Sequence, residues 1–402
     1  MAFQSSTRHP FLISEVAMTV PSRSEQAGLS LSCVDAVAAI PRDDWNALVG
    51  DDHPFLRHEF LHALEASGVV APETGWAPRH LTLWRGGALV GVLPSYDKAH
   101  SYGEYVFDWG WADAWERAGG AYYPKALSAI PFTPAPGPRL VLAPGEDRLA
   151  AMRLLASSWE RRDILSWHLL FAEDAEVNDW CAARPRLIER RGVQFQWQDA
   201  GYGDFDGFLM AMTSRRRKEI RRERRIVADQ GLSLHRLEGE AIDASALEHF
   251  YRCYQITYLE RGRQGYLNIE FFQRLRESLP EALVLIQARL HGKPVAAALC
   301  LQGRHTLYGR YWGSEVMADC LHFEACYYQG IEHCLERGLS RFDPGTQGEH
   351  KLTRGFSPRR LRSLHHIADP RLHDAVARFC HEEGAQVEAY CQRAEASLPF
   401  KH

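Results

Sequence analysis

Six polar residues, five of them ionisable, Asp343, Gln347, Glu349, His350, Lys351 and Arg354, fall within a stretch of twelve. Gly345, Gly348 and Gly355 punctuate them. Glycine lets a backbone turn sharply or approach a ligand closely. Carboxylates, an imidazole and cations among such turns have the makings of an acid–base site with anion stabilisers. The plainer reading is a charged loop after an edge strand.

Three other clusters carry chemistry or its imitation. Arg215 to Arg225 holds eight Lys/Arg against two Glu. Like charges one helical turn apart weaken a helix, so this density suits the phosphates of a nucleotide or RNA, or else a solvated face. His58, Glu59 and His62 match the HExxH zinc pattern, but no third ligand follows and no zinc is expected there. Phe107, Trp109, Trp111, Trp115, Tyr122 and Tyr123 crowd around Asp108 and Asp113. Such aromatics wall a cleft or fill a core, and a buried Asp108 would need a partner. Arg139 follows a proline-rich stretch that would fix it as an anion clamp or a structural bridge. A Walker A loop, a GxGxxG, a nucleophile elbow and a catalytic-cysteine signature are all missing.

The elements that must position these residues repeat. At 402 residues the chain is long enough for two domains. Residues 80–93 and 283–301 both read as strand, glycine turn, strand, and an aromatic strand is expected after each. Gly86 aligns with Gly292, and Trp109-Gly110 with Trp312-Gly313. Phe323, Tyr327, Ile331, Cys334 and Leu335 form a helical stripe stopped at Gly338, and a short strand ends at Asp343. Helix, antiparallel meander, helix and strand make an α+β unit. Apolar content of 46% and a net charge of −4 suit a globular chain whose bulk charge implies no polyanionic or membrane partner. Nine cysteines without a CxxC pair suit a reducing cytoplasm. No run approaches a membrane span.

Four segments, PFLRHEFLHALEASG, AYYPKALSAIPFTPAPGPRL, HFEACYYQGIEHCLERGL and FDPGTQGEHKLTRGFSP, together resemble bacterial Fem-like peptidoglycan biosynthesis/recognition proteins of the GNAT superfamily. The resemblance runs over roughly residues 30–395. It implies tandem GNAT-like domains, each a mixed, largely antiparallel sheet flanked by helices. The expected division is a flexible tail at 1–28, a first domain at 29–190, and a second at 191–368 with the basic entry helix and the 343–356 loop. A C-terminal helix at 369–402 would pack back on the first domain. Fem enzymes move an amino acid from aminoacyl-tRNA to an amine of a peptidoglycan precursor. Arg217-Lys218-Glu219-Ile220-Arg221 matches their R-x-x-I-R segment, and Lys351 falls where their loop lysine is expected, with a longer spacing to Phe356. The coiled-coil arm of some Fem enzymes and the coenzyme A loop of ordinary GNAT enzymes are both missing.

The implied reaction is acyl transfer to an amine. His350, Glu349 and Asp343 are candidate bases. Lys351 and N–H groups of the Gly345–Gly348 turn would meet the oxyanion. Arg217 and Arg221 would hold phosphates, and Arg139, Asp108, Trp109, Tyr123, Tyr311, Glu324, Gln347 and Arg354 complete the expected substrate-binding set. The donor would be aminoacyl-tRNA or acyl-coenzyme A, with no tightly bound cofactor and no metal. The acceptor would be an amine, on a nucleotide-linked peptide or a small molecule. A recognition module that kept the fold and lost the chemistry is the non-enzymatic alternative.

Overall fold

The computed structural model describes residues 28–162, 164–346 and 348–401. The tail expected over 1–28 lies outside them but for Gly28, as does Gln347. The strands, in chain order, are β1 (Ser30–Val34), β2 (Trp76–Pro78), β3 (His80–Arg85), β4 (Ala88–Leu93), β5 (Tyr96–Lys98), β6 (Lys125–Ser128), β7 (Val141–Leu142), β8 (Ser166–Ala172), β9 (Ile188–Gln198), β10 (Leu232–Glu238), β11 (Leu283–Leu290), β12 (Lys293–Gln302), β13 (Thr306–Ser314), β14 (Arg341–Asp343) and β15 (Ser357–Ile367). They form a four-stranded sheet, β1-β3-β4-β7, and an eleven-stranded one, β10-β11-β12-β13-β14-β9-β15-β8-β6-β5-β2. Neighbours are antiparallel except for β6 beside β8 and β13 beside β14.

The internal repeat is written in two hairpins. Arg85 pairs with Ala88, and Leu290 with Lys293, so each turn has two residues. Gly86, Gly87, His291 and Gly292 all have positive φ, the geometry whose twist matches a two-residue hairpin. Each hairpin then bulges at the same place. Val90 is skipped between the Trp84–Leu89 and Leu83–Gly91 pairs, and Val295 between the Arg289–Pro294 and Ala288–Ala296 pairs. Gly87, not the expected Gly86, is therefore the equivalent of Gly292.

The second expected match fails. Trp312 and Gly313 lie in β13, but Trp109–Arg117 is a helix. Trp111 and Trp115 are four residues apart, so a helix puts both on one face, where they join the cluster around Ile188, Leu372 and Val376. The first-half counterpart of β13 is β6, because each runs parallel to the strand beside it. The fold is thus α+β with tandem GNAT-like halves.

The halves are fused. Phe55 meets Tyr308 edge-on at 5.0 Å, and Phe60 meets Phe271 at 5.7 Å. The boundary expected between 190 and 191 falls inside β9. Strand β15, which follows the polar loop, inserts between β8 and β9 and pairs with both. The helix Pro370–Ala396 lies on β9, β15 and the helix Trp109–Arg117. Among the described residues no helix is long and apolar enough to cross a membrane.

Candidate functional site

Strands β13 and β14 pair only from Thr306–Arg341 to Tyr308–Asp343. Beyond that, β13 runs on to Ser314 while Pro344 turns the other chain away. A cleft of about 380 Å³ opens in the gap, between Arg310, Tyr311 and Trp312 on one wall and Gly345, His350 and Lys351 on the other. Tyr254 and Tyr258, from the helix Ala244–Leu259, extend the first wall, and Tyr105 of the first half closes one end. Leu299 pairs with Tyr311 but Cys300 with Gly309, so Arg310 forms a bulge at the lip. Its Nη2 donates to the Phe132 carbonyl of the proline-rich loop at 2.8 Å.

The loop turns on Gly345 and Gly348, at φ +89° and +102°, then makes one 3-10 segment, Glu349–Arg354. Both glycines are needed, because L side chains rarely adopt such φ. The Asp343 carboxylate accepts the Gly345 N–H at 2.9 Å. Burial pushes its carboxyl up, opposed by that N–H and by Arg310 and Lys351. Lys351 is fully buried and donates to the Gly345 carbonyl at 2.6 Å. Burial pulls it down to about 8, with Asp343 acting the other way. Among the described residues it makes no ion pair. His350 Nε2 lies 2.8 Å from the Tyr327 hydroxyl. Burial, then Arg354 and Lys351, lower its pKa, and beside it burial takes His322 down to about 4.

The expected set divides. Gly345, His350, Lys351 and Tyr311 line the cleft, with Asp343 bonded to Gly345, and with Gly348 at the turn behind them. Glu349 is exposed and accepts from Tyr390 of the C-terminal helix at 2.9 Å, away from the cleft. Arg354 is a brace: it donates to Glu223 at 2.6 Å, to the Tyr328 hydroxyl at 3.0 Å and to the His350 carbonyl at 2.8 Å. Glu324 takes both prongs of Arg224 at 3.0 Å. These bonds anchor the basic helix Ser214–Asp229 to the segments behind the loop. Arg221 faces Asp206 at 3.0 Å, and Arg217 contacts the Met210 sulfur at 3.2 Å. Neither lines the cleft. Arg215, Lys218 and Arg225 are exposed, with no ion pair among the described residues.

Arg139 is corrected from clamp to bridge. It is fully buried and donates to the carbonyls of Leu170, Gly137, Pro138 and Ala135 at 2.7–3.1 Å. Four of its five N–H donors are taken by backbone, and the side chain lines no wall of the cleft. His58 and Glu59 are likewise occupied: His58 bonds the Val37 carbonyl at 3.2 Å, and Asn46 and Arg57 hold Glu59.

Asp108, Trp109 and Tyr123 belong to the first half, where β6 runs beside β8. There Lys125 donates to Asp108 at 2.5 Å, Glu104 at 2.8 Å and Ser101 at 2.7 Å. Tyr122 donates to Asp108 at 2.8 Å, and Tyr123 bonds Ser101 at 2.9 Å. Burial disfavours the Lys125 charge, but Glu104 and Asp108 outweigh it and hold its pKa above the usual lysine value. Burial lifts Glu104 to about 7, with Lys125 opposing. Trp109 is half-buried and packs on Tyr102 at 4.7 Å.

Sequence reasoning passed over Tyr327, His322, Arg310, Tyr254 and Tyr258. Tyr327 enters through a π-helical turn, Glu324–Tyr328, a feature common at functional sites but without a sequence signature. Arg310 needed the bulge register. The Tyr254–Tyr258 pair was legible as an i,i+4 stripe.

A family profile described as FemAB-like, peptidoglycan biosynthesis/recognition, matches residues 36–402. The fold is similar to the crystal structure of FemX, with 14% identity over 84% of this chain and 98% of that one and a TM-score of 0.53. It is also similar to the C-terminal domain of a protein assigned as a lysylphosphatidylglycerol synthetase from Agrobacterium fabrum. That match has 9% identity over 83% and 94% of the two chains and a TM-score of 0.51. At these identities the likeness is one of fold. No curated protein sequence matches.

Proposed function

The chain belongs to the FemAB-like family, and on that premise we propose that it transfers an acyl group, most simply an aminoacyl group, to the amine of a peptide or cell-wall-precursor-like acceptor. The observation that carries this reading is Lys351: a buried ammonium at the cleft wall, held by a carbonyl and without an ion pair among the described residues. Such a cation is ready for an anion that forms in place.

The chemistry follows from the parts. The acceptor amine attacks the acyl carbon and loses a proton to His350, whose lowered pKa keeps the imidazole neutral near pH 7. With Nε2–H donated to the Tyr327 oxygen, Nδ1 carries the free lone pair that a base requires. The carbonyl oxygen becomes an oxyanion facing Lys351. A charge met by a donor already desolvated is stabilised without reorganisation. The intermediate then collapses: the new C–N bond stays, the bond to the leaving oxygen or sulfur breaks, and the His350 proton follows the leaving group. Asp343 and Gly345 hold the lysine in place.

The exposed cations of Ser214–Asp229 favour a polyanionic donor, which supports aminoacyl-tRNA over acyl-coenzyme A. The two separate by salt. Affinity for RNA should fall steeply with ionic strength, because each neutralised phosphate releases counter-ions; affinity for coenzyme A should fall little. The enzyme reading is tested with purified protein, charged tRNA or acyl-coenzyme A, and amine acceptors. Turnover that disappears in Lys351→Ala at unchanged acceptor affinity supports it. Acceptor binding without turnover, equal in wild type and variant, would replace it with a recognition module.

A further inference from the structure

Behind the cleft, three side chains from two elements converge. His249 and Cys253 are four apart on the helix Ala244–Leu259, hence on one face. Glu315 follows directly on β13, its backbone N–H fixed to the Val295 carbonyl at 2.8 Å. One ligating atom from each of the three lies within 4.8 Å of the other two. We propose that His249, Cys253 and Glu315 bind a zinc-type transition-metal ion that clamps this helix to β13.

The geometry favours it. A tetrahedral zinc with Zn–S of ~2.3 Å and Zn–N of ~2.0–2.1 Å places sulfur and nitrogen roughly 3.5 Å apart. Cys253 Sγ and His249 Nε2 are 3.5 Å apart. Imidazole and carboxylate ligands would be roughly 3.3 Å apart in the same geometry; His249 Nε2 and Glu315 Oε2 are 4.0 Å apart. Glu315, a third exposed, is the ligand free to close that difference. Its other oxygen faces Arg252 at 3.3 Å, which orients the carboxylate from behind. A thiolate and an imidazole select zinc, cobalt or copper over magnesium or calcium, which prefer oxygen.

Burial adds a second observation. His249 is 2% exposed and Cys253 fully buried. Among the described residues His249 Nδ1 has no hydrogen-bond partner, and Nε2 has only the sulfur. A sulfur atom is only a weak hydrogen-bond partner for a buried imidazole nitrogen, and a metal bond at Nε2 would take the place of that contact. The fourth coordination position remains for water. The ion would stand apart from Lys351 and act on shape. Thr257 donates to the Trp312 carbonyl at 2.7 Å, and a Cβ at Gly313 would strike the Cys253 carbonyl oxygen at 1.8 Å. Helix and strand already touch backbone to backbone, and the same helix carries Tyr254 and Tyr258 into the cleft wall.

Cobalt(II) titration of the chelator-treated full chain reads the site. The expected result is one cobalt per chain, with the visible bands of a tetrahedral ion, a thiolate charge-transfer band in the near ultraviolet, and displacement by zinc with a rise in Tm. Cys253→Ser should abolish the charge-transfer band. Glu315→Gln, on a part-exposed side chain that leaves the core intact, should weaken binding by at least the roughly 10–100-fold that even a change behind a ligand costs. His62→Ala should change nothing. No saturable binding at one per chain, or cobalt bound without the thiolate band, would overturn the proposal. So would binding lost on His62→Ala but kept in Glu315→Gln, since the ion would then lie at the His58–His62 pair. In those cases Cys253 and His249 form only a buried thiol–imidazole contact.

Discussion

The two halves of this molecule contain the same device, a pair of parallel strands in an otherwise antiparallel sheet, and each sets a buried lysine beside it. Lys125 opens β6, and two carboxylates, a serine and a tyrosine fill the space around it. Lys351 lies beyond β14, and its one hydrogen bond among the described residues goes to a carbonyl. Burial disfavours both charges, but the partners decide the outcome: Lys125 is held above the ordinary lysine value, Lys351 brought down to about 8. A buried cation saturated with carboxylates is a bolt. A buried cation without them keeps its field for something that arrives.

The comparison breaks most visibly at Lys125. Lys125→Ala leaves Asp108 and Glu104 buried without their cation, and breaking a buried pair in this way costs about 3–5 kcal/mol. Chemical denaturation should show that loss; a smaller effect than at an ordinary surface lysine would deny the bolt. Lys351→Ala should do the reverse. Tm should hold or rise, because an unpaired buried charge is removed, while kcat falls by about 10²–10³, the usual cost of one oxyanion donor. A fall in Tm with unchanged turnover per folded molecule would make the loop structural.

Protonation sharpens the contrast. If Lys351 works as a cation, kcat should decline as pH rises through about 8, and Lys351→Arg, which stays charged, should move that decline to higher pH. The stability sign is opposite. The folded value lies below the unfolded 10.5, so between them the unfolded chain binds more protons, and the Lys351 contribution to stability rises as pH goes from about 8 towards 10.5. A pH–rate profile and a pH series of melts check the two limbs. Tyr327→Phe removes one hydrogen bond to His350 and should cost about 0.5–1.5 kcal/mol in the barrier; no change in kcat would take His350 out of the reaction. The smallest effect belongs to Arg221. Its exposed pair with Asp206 should contribute about 0–1 kcal/mol to stability, so Arg221→Ala should leave Tm nearly unchanged and raise KM for the donor alone.

Legibility followed range. Hairpin, helix stripe and glycine turn are local patterns, and the hairpin at 283–301 and the helix ended by Gly338 are legible from them, though not its π-helical turn. The polar loop was visible because its residue types are improbable together. What failed depended on contacts far along the chain. The segment from Trp109 reads as strand because aromatic alternation resembles strand period; it is the packing of Trp111 and Trp115 with Leu372 and Val376 that goes with a helix. Arg139 and Glu324 were read as ligand groups because a side chain's partners are not in its neighbourhood: Leu170 and Arg224 complete them. Strand β9 runs across the division expected near 190, and its partners β14 and β15 come from much later in the chain.

Strand β15 carries one more consequence, for the order of events during synthesis. Its eleven residues fill the slot between β8 and β9. Until residue 367 has left the ribosome, those two strands each present an unpaired edge, the template on which chains aggregate. The first half, though translated first, cannot complete its sheet alone. The polar loop leads directly into β15, so a chain interrupted before that point lacks the strand that joins β8 to β9. Completion of the large sheet and placement of the strand after the loop are then one event.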